Sequence, residues 1–351
     1  MLLSPAQRTE EAAGAAAGAV PPGLFYSSDA EPGFTRVRRG KNFSFRDTRG
    51  LPIRDPAQLA RIRKLAIPPA YTDVWICPSP DGHLQATGRD ARGRKQYRYH
   101  ERWRLERDCG KFDRMQAFAR ALPRLRRQVQ AHLDGKQHSR ELVLATVVRL
   151  LDTTLVRVGN DQYARENKSY GLTTLRNRHV HLTGSGLRLL FKGKSGVQHD
   201  VEVKDPRVCR VVRRCLHLPG QELFQYRDAE GNRRVVSSND VNDYLRQACG
   251  EGFTAKDFRT WHGSVLALET QRRFCTSGRC FTLKELLAQV SGSLGNTPAV
   301  CRKAYIHPRV LALGIELAGG KEPGEWKAPP ARAIKGLSAG EQRLVAFLDK
   351  D

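Results

Sequence analysis

The sequence predicts an α+β protein: a strand-rich N-terminal domain, then a mostly helical domain that contains a small three-stranded sheet. The chain has 351 residues, enough for two domains of roughly 100–200 residues each. From Phe34 to about Tyr99, apolar and polar residues alternate as they do in strands with one buried face. From about Cys109 onwards, apolar residues recur at the spacing of one helix face instead.

Composition divides the chain further. The first residues are rich in Ala and Gly and have no basic start, which predicts a disordered tail and not a signal peptide. Beyond Pro323 the chain is Pro-rich before one amphipathic helix. We therefore expect a disordered tail, a β-rich domain, a helical domain, and a linker with a C-terminal helix, at residues 1–22, 23–105, 106–315 and 316–351.

Two turn signals organise the β-rich domain. "RDTRG" separates "FTRVRRGKNFSF" from "LPIRD", and "PSPDG" separates "YTDVWIC" from "HLQATG", as turns do between antiparallel strands. Between these pairs, Asp55-Pro56 starts a short helix, because Asp caps helices and Pro suits the first helical position. A last strand, "GRKQYRYHERW", closes the domain.

The second domain opens with two apolar-striped helices, "FDRMQAFARALPRLRRQVQAHLDG" and "RELVLATVVRLLDTTLVRVG". Three alternating segments then predict the small sheet: "LRNRHVHL", "LRLLFK" and "VQHDVEV". Further helices are expected to start at Asp205-Pro206, at Ser238, at Thr282 with Glu285 completing a capping box, and at Asn296-Thr297-Pro298.

The charge balance indicates the partner. Sixty Lys and Arg against 36 Asp and Glu leave a formal net charge of +24, which favours a polyanion. The aliphatic runs are shorter than the ~18 residues of a membrane span, so nucleic acid is preferred over a membrane. Eight cysteines without a C-x-x-C pair indicate reduced thiols in a cytosolic protein. His179 and His181 lack a third ligand at sensible spacing, so no metal site is expected.

The stretch "FKGKSG" contains the Gly-Lys-Ser of a phosphate-binding loop. A P-loop needs a further glycine five positions before Gly193, where Arg188 stands, and a helix afterwards, where a strand pattern follows. The stretch therefore predicts a hairpin with Lys194 at its tip. Alone, such a lysine is most often a solvated surface charge.

Lys194 belongs to an ordered series of polar residues. Arg157 lies 37 residues earlier, at the end of an apolar helix; Tyr305 lies on a short helix, nine residues after Asn296. The other members share one predicted helix and are Lys256 and, one turn later, Arg259. In order and spacing this series resembles the type IB DNA topoisomerases, and most closely their bacterial, poxvirus-like branch. The resemblance extends from about Phe25 to about Leu313 and includes "GRKQYRYHERW" and "GHLQATGRDARG".

The resemblance implies a catalytic domain at residues 106–315 and a DNA clamp at residues 23–105. Tyr305 would attack a DNA phosphodiester, forming a 3′-phosphotyrosyl link and releasing a 5′-hydroxyl. Arg157 and Arg259 would clasp the scissile phosphate, and Lys194 would protonate the leaving oxygen. Among the remaining residues, Asn296 stands where many relatives have His, and Lys256 matches a lysine near the leaving group.

DNA contacts are also implied. Strand alternation puts Lys95, Tyr97 and Tyr99 on one face and Gln96 on the other. Within this strand the resemblance marks Gln96, Tyr97 and Tyr99 as DNA contacts, and the basic Lys95 joins them. In the second domain Tyr163 resembles a phosphate contact, and Arg165 is either a contact or a solvated charge.

The residue types suit this chemistry independently. Guanidinium groups offer paired, permanently cationic donors, so two arginines can stabilise developing phosphate charge as metal ions do elsewhere. Exchange of one phosphoester for another conserves bond energy, so no ATP and no other cofactor is expected. Tyrosine, with a free pKa of about 10, is a weak nucleophile. No histidine or carboxylate at clear spacing offers itself as its base, and the field of Arg157 and Arg259 could lower that pKa.

We therefore expect a monomeric enzyme that relaxes DNA on the nucleoid in the bacterial cytoplasm. Two alternative functions compete with this expectation. Site-specific tyrosine recombinases share the catalytic domain type, but they typically have His-x-x-Arg where this chain has Lys256-x-x-Arg259. A non-enzymatic basic DNA-binding protein would explain the charge and leave the ordered series to chance.

Overall fold

The computed structural model describes residues 20–40, 42–91, 93–135, 137–184, 186–250, 252–320 and 334–349. Residues 1–19 of the expected tail and 321–333 of the expected linker lie outside this part. The chain forms two compact units, the first ending at Gly110 and the second beginning at Lys111. The sequence-based boundary between residues 105 and 106 falls inside one helix, Glu101–Asp113.

The first unit contains an antiparallel five-stranded sheet and one helix, as the alternation predicts. The strands follow the order β2-β1-β3-β4-β5. The elements are β1 (Phe34–Arg39), β2 (Asn42–Arg46), α1 (Pro56–Lys64), β3 (Thr72–Ile76), β4 (Leu84–Arg89) and β5 (Lys95–Tyr99), followed by α2 (Glu101–Asp113), which ends in the second unit.

The core of the first unit lies between α1 and one sheet face. Ile62 of α1 is buried with Val74, Ile76 and Ala86 of the sheet. Asp55 caps α1 by accepting a hydrogen bond from the Ala57 amide at 3.0 Å. This confirms the helix start at Asp55-Pro56. It also leaves the opposite face of the sheet to Trp75, Thr87 and Tyr97, which are paired across β3, β4 and β5.

The second unit is mostly helical, and its described residues include five short strands. The sheet β6-β7-β8 confirms the predicted three-stranded sheet, whereas the β9–β10 hairpin was missed because its strands are only three residues long. The helices are α3 (Met115–Leu133), α4 (Arg140–Thr154), α5 (Asp161–Asn167), α6 (Pro206–Leu216), α7 (Ser238–Cys249), α8 (Ala255–Thr276), α9 (Leu283–Leu294), α10 (Pro298–Ala304), α11 (Pro308–Ala318) and α12 (Ala339–Leu348). The strands are β6 (Val180–Leu182), β7 (Leu187–Lys192), β8 (Gln198–Val203), β9 (Gln225–Arg227) and β10 (Arg233–Val235).

Helix α8 lies at the centre of this unit. Phe258, Trp261 and Leu268 are buried along it, and it packs against α9, α11 and α12 as well as α3 and α4. The last helix, α12, buries Leu344 and Leu348 in the same core. Because α8 is fixed on several sides, the polar residues of its first turns are held rigidly.

Two site residues lie just beyond the helices predicted to carry them. Helix α4 ends at Thr154, and Leu155 takes a left-handed conformation with φ 59°. Arg157 therefore lies in the irregular segment after the helix, and its backbone carbonyl accepts from the Leu172 amide at 2.9 Å. The β-branched Val156 and Val158 of this segment are weaker helix formers than Leu.

Tyr305 likewise follows α10 as its C-terminal cap, with φ −131° and ψ −12°. Three residues after Tyr305, Pro308 disfavours the helical region for His307, whose ψ is 136°. A third correction concerns His179, which the alternating segment "LRNRHVHL" had placed in a strand. It ends a 3₁₀ turn before β6, and its ring packs on that of Tyr170 with 4.5 Å between centroids.

Candidate active site

Five separate segments of the second unit contribute to one cationic site. Its members come from the segment after α4, the turn between β7 and β8, the first turns of α8, the loop between α9 and α10, and the end of α10. In that order they are Arg157, Lys194, Lys256 with Arg259, Asn296, and Tyr305. Their contacts, and the charges that act between them, show that the structure brings all six into one neighbourhood.

Arg259 is the buried centre of the site, with 3% of its surface exposed. Its Nη1 donates a hydrogen bond to the Leu155 carbonyl, and its Nη2 donates one to the Leu294 carbonyl at 2.6 Å. Its guanidinium carbon lies 5.0 Å from the ring centroid of Tyr305. The left-handed turn at Leu155 thus supplies an acceptor that fixes Arg259, two residues before the chain reaches Arg157.

Arg157 joins this centre to the loop before α10. Its Nη1 donates to the Gly295 carbonyl at 3.4 Å, and its Nη2 donates to Oδ1 of Asn296. Burial and the positive charge of Arg259 lower the pKa of Arg157 to about 10, against partial opposition from Tyr305. The guanidinium remains charged at neutral pH, but it lies in surroundings that already carry positive charge.

Tyr305 is anchored through its backbone. Its carbonyl accepts a hydrogen bond from Ser264 Oγ at 3.2 Å, and the same Oγ accepts from the His307 amide at 2.9 Å. A Cβ on Gly263 would lie 2.6 Å from the Tyr305 carbonyl oxygen, so this glycine of α8 permits the close approach. These backbone contacts fix the position of the Tyr305 phenol relative to Arg259, which lies on α8 together with Gly263 and Ser264.

The pKa of the Tyr305 hydroxyl is lowered. Burial by itself would raise this pKa, but the charges of Arg259 and Arg157, a hydrogen bond from Arg259 and the charge of Lys256 outweigh it. The site therefore makes the phenolate of Tyr305 easier to form than that of a free tyrosine. This is the direction that the sequence reasoning expected from the field of the two arginines.

Lys194 lies on the tight turn between β7 and β8. The turn is closed by the Gly193 amide donating to the Val197 carbonyl at 2.7 Å, with Ser195 at φ 65°. The hairpin around Lys194 is thus confirmed. Although the side chain retains exposed surface, burial of its ammonium together with the charges of Arg157 and Arg259 lowers the Lys194 pKa.

The site is short of negative charge and of acceptors. Among the described residues, no carboxylate forms an ion pair with Arg157, Lys194 or Arg259. A guanidinium has five N–H donors, and Nε of Arg259 is buried without a partner in the described part of the chain, as is Nδ2 of Asn296. Buried unpaired donors are costly. An anion with several acceptor oxygens, such as a phosphodiester, satisfies both the charge and these donors.

Sequence reasoning missed one residue of this neighbourhood, His199. Burial and the charges of Arg157 and Arg259 lower its pKa to about 4, so it is neutral at physiological pH. The available signal was its strand register: His199 on β8 pairs with Phe191 on β7, next to the turn that carries Lys194.

The candidate DNA contacts of the first unit lie on β5, the edge strand of its sheet. Tyr97 and Tyr99 stack with centroids 6.2 Å apart, and Tyr99 is 40% exposed. Lys95 forms an ion pair with Asp29 at 2.9 Å, and Gln96 donates to Asp90 at 3.0 Å. The two tyrosines thus present an aromatic surface at the edge, while Lys95 and Gln96 have acidic neighbours within the unit.

Two further candidates lie in the second unit, on α5. Tyr163 places its ring 5.8 Å from the Lys194 ammonium, which brings it beside the site. Arg165 is exposed on the same short helix, which Asn160 caps by accepting from the Tyr163 amide at 2.8 Å.

The described residues indicate neither a metal site nor a membrane-spanning helix. They contain no group of three or more His, Cys, Asp or Glu side chains arranged to hold a metal ion. None of the described helices is both long enough and apolar enough to cross a membrane.

Comparison with known proteins agrees with this geometry. Residues 99–309 match the family model "Eukaryotic DNA topoisomerase I, catalytic core", and residues 42–90 match "Bacterial DNA topoisomerase IB, N-terminal domain". DNA topoisomerase 1B of Acanthamoeba polyphaga mimivirus is 34% identical over 266 residues, covering 73% of this chain and 79% of that protein. DNA topoisomerase I of Monkeypox virus and DNA topoisomerase 1B of Vaccinia virus (strain Copenhagen) are each 24% identical over 268 residues, covering 72% of this chain and 80% of theirs.

Fold, site and matches together define an isomerase that acts on DNA. The chain belongs to the type IB DNA topoisomerases, which relax supercoiled DNA by transient cleavage of one strand through a 3′-phosphotyrosyl intermediate. The recombinase alternative is not supported, because both family models and the named relatives are topoisomerases.

Proposed function

We propose that Tyr305 is the nucleophile of this topoisomerase. Its phenolate oxygen attacks the phosphorus of a backbone phosphodiester, a new P–O bond to Tyr305 forms, and the bond to the 5′-oxygen breaks. After the free strand end has turned about the intact strand, the 5′-hydroxyl attacks the phosphotyrosine and restores the backbone. One phosphoester replaces another in each step, so no external energy source is required.

Arg157 and Arg259 hold the scissile phosphate in this proposal. Both guanidiniums lie against Tyr305, and each retains N–H donors beyond those used for backbone carbonyls and Asn296. Donors fixed in advance toward oxygens that gain charge in the transition state are the most effective kind of electrostatic catalysis. Asn296 adds a neutral hydrogen bond through Nδ2, which points to no partner in the described residues.

Lys194 is the general acid that protonates the leaving 5′-oxygen, and Lys256 assists near the leaving group. A general acid works best when its pKa lies near the working pH, and the pKa of Lys194 is shifted in that direction. Tyr163, beside the Lys194 ammonium, contacts an adjoining phosphate. Because the arginines supply the charge stabilisation, neither a metal nor another cofactor has a step in this mechanism.

Both units contact double-stranded DNA in this proposal. Tyr97, Tyr99, Gln96 and Lys95 of β5 contact it from the first unit, and Arg165 from the second. The surplus of 24 positive charges supports a largely electrostatic grip on the phosphates. We further propose a monomer that acts on the nucleoid in a bacterial cytoplasm, which the match to a bacterial N-terminal domain supports.

The observation that carries the proposal is the proximity of Tyr305 to two guanidiniums: that of Arg259 lies 5.0 Å from its ring centroid, and the charges of Arg259 and Arg157 act on its hydroxyl. The test is relaxation of negatively and positively supercoiled plasmid in EDTA without ATP. We expect relaxation of both. Tyr305→Phe is expected to bind DNA and relax neither, while the matched Tyr226→Phe on the β9–β10 hairpin retains activity. Relaxation by Tyr305→Phe would overturn the assignment, and dependence on paired recognition sites would favour recombination.

A further inference from the structure

The ring of His199 lies between two loops of the second unit, an arrangement that we call the wedge. It faces Phe191 across the β7–β8 pair, and the two rings stack with centroids 4.8 Å apart and planes within 9°. The stack fixes the plane of the imidazole at the base of the hairpin that carries Lys194. The ring is partly buried there, next to the arginine centre of the site.

The edges of the imidazole fill the space beside two glycines. A Cβ on Gly193 would lie 2.5 Å from the ring atoms Cδ2 and Nε2, and one on Gly295 would lie 2.8 Å from Cε1. Neither position leaves room for a side chain while His199 is present. The imidazole is therefore in contact with two loops that are about a hundred residues apart in sequence.

Each of these glycines adjoins a residue of the site. Gly193 immediately precedes Lys194, and Gly295 immediately precedes Asn296. The Gly295 carbonyl also accepts from Arg157, and Asn296 accepts from the same guanidinium. A displacement of the ring would therefore change the position of Lys194 relative to Arg157 and Asn296.

We propose that His199 is a positioning residue that acts through its shape. Its flat ring sets the distance between the turn that carries Lys194 and the loop of Gly295 and Asn296, to which Arg157 is bound. The proposal rests on the function of Lys194 as general acid. The imidazole carries no charge at neutral pH in this cationic setting. A flat apolar ring of similar size is thus expected to replace it better than a small residue.

The test compares two leaving groups in single-turnover cleavage of a duplex oligonucleotide. One substrate has the ordinary phosphodiester, and the other has sulfur in place of the bridging 5′-oxygen. A thiolate leaves without protonation, because a thiol is a far stronger acid than an alcohol. A misplaced Lys194 therefore slows the first substrate and not the second. Lys194→Ala defines the full effect, and His181→Ala on β6 is the matched histidine control.

For His199→Ala we expect phosphodiester cleavage to fall about 10- to 100-fold, the range for a catalytic group displaced by about 1 Å. His199→Ala should cleave the sulfur substrate within about threefold of the wild-type rate, because this substrate does not need the general acid to be in place. His199→Phe should retain most of the phosphodiester rate, and His181→Ala should change neither. Equal slowing on both substrates, or no slowing on either, would overturn the positioning role.

A double-mutant cycle provides a second measurement. Gly193 has φ −91°, which alanine also adopts, so Gly193→Ala conflicts only with the His199 ring. We expect Gly193→Ala to slow cleavage strongly in the wild-type background and weakly in His199→Ala. Additive losses would contradict the wedge. If Lys194→Ala itself is not rescued by sulfur, the general-acid function fails; if it is rescued and His199→Ala is not, only the present inference fails.

Discussion

Tyr305 shows how neighbouring charges can lower the pKa of a buried phenol. Burial would hold the phenol protonated, and the charges of Arg259, Arg157 and Lys256 reverse that effect. Burial, together with the charges of the same two arginines, lowers the pKa of Lys194. In the proposed mechanism, one pair of guanidiniums thus prepares both the nucleophile and the general acid, and its remaining donors bind the phosphate.

A pH profile follows from these shifts. The nucleophile reacts as phenolate, so cleavage should rise with pH through a pKa below the ordinary value of about 10. Lys256→Ala removes one of the charges that lower this pKa, so the rising limb should move to higher pH and the deficit should shrink as pH increases. Single-turnover cleavage at a series of pH values measures this. An unchanged limb would contradict the electrostatic coupling.

Arg157 and Asn296 differ in what they contribute. In the proposed mechanism Arg157→Ala removes a cation from the scissile phosphate, and loss of one such group is expected to cost about 10²–10³ in rate. Asn296→Ala removes a neutral donor, worth about 1 kcal/mol, so a loss of roughly fivefold is expected. The measurement is single-turnover cleavage of a duplex substrate. A loss on Asn296→Ala as large as that on Arg157→Ala would assign this position a larger role.

Among the elements, α3, α4 and α12 hold α8, the helix of Arg259, in place through a buried ionic network. Arg126 donates to Asp152 at 2.8 Å and to Glu341 at 2.7 Å, and Trp261 donates to the same Glu341 at 3.0 Å. Trp261 lies two residues from Arg259 on α8. Helix α12 is therefore packed as part of the second unit.

Loss of Glu341 should therefore be costly. Glu341→Ala leaves Arg126 without one of its buried partners, and breaking a buried ion pair costs about 3–5 kcal/mol. The matched Glu202→Ala removes an exposed pair with Lys204, worth less than about 1 kcal/mol. Urea unfolding followed by tryptophan fluorescence measures both. Equal small effects would show that α12 does not stabilise the unit.

The starts of helices were predictable from sequence where side chains mark them, as Asp55 and Thr282 do. The ends of α4 and α10 were not predictable in this way. After α4, apolar residues continue at Val156 and Val158, and hydrogen bonds to distant parts of the chain decide where the helix stops. The sequence named six residues that the structure brings into one neighbourhood, and their catalytic roles stay predictions. The wedge of His199 was not predictable, since it depends on two glycines brought together only by folding.

At the scale of the whole molecule, the charge of +24 determines how DNA affinity responds to salt. Removal of one cation that binds a phosphate reduces the slope of log K against log salt by about 0.9. We expect Arg165→Ala to reduce the slope by about this amount. Arg188→Ala, whose charge is balanced by Asp200, should leave the slope unchanged. A slope unaffected by Arg165→Ala would mark Arg165 as a solvated charge.

The most direct test of the account is the identity of the residue that becomes linked to DNA. A nicked duplex that cannot religate should trap the cleaved state, and mass spectrometry of the digested adduct should find the 3′-phosphate on Tyr305. Tyr305→Phe should yield no adduct. An adduct on another residue, or one that persists in Tyr305→Phe, would contradict the central claim that this phenol attacks the DNA backbone.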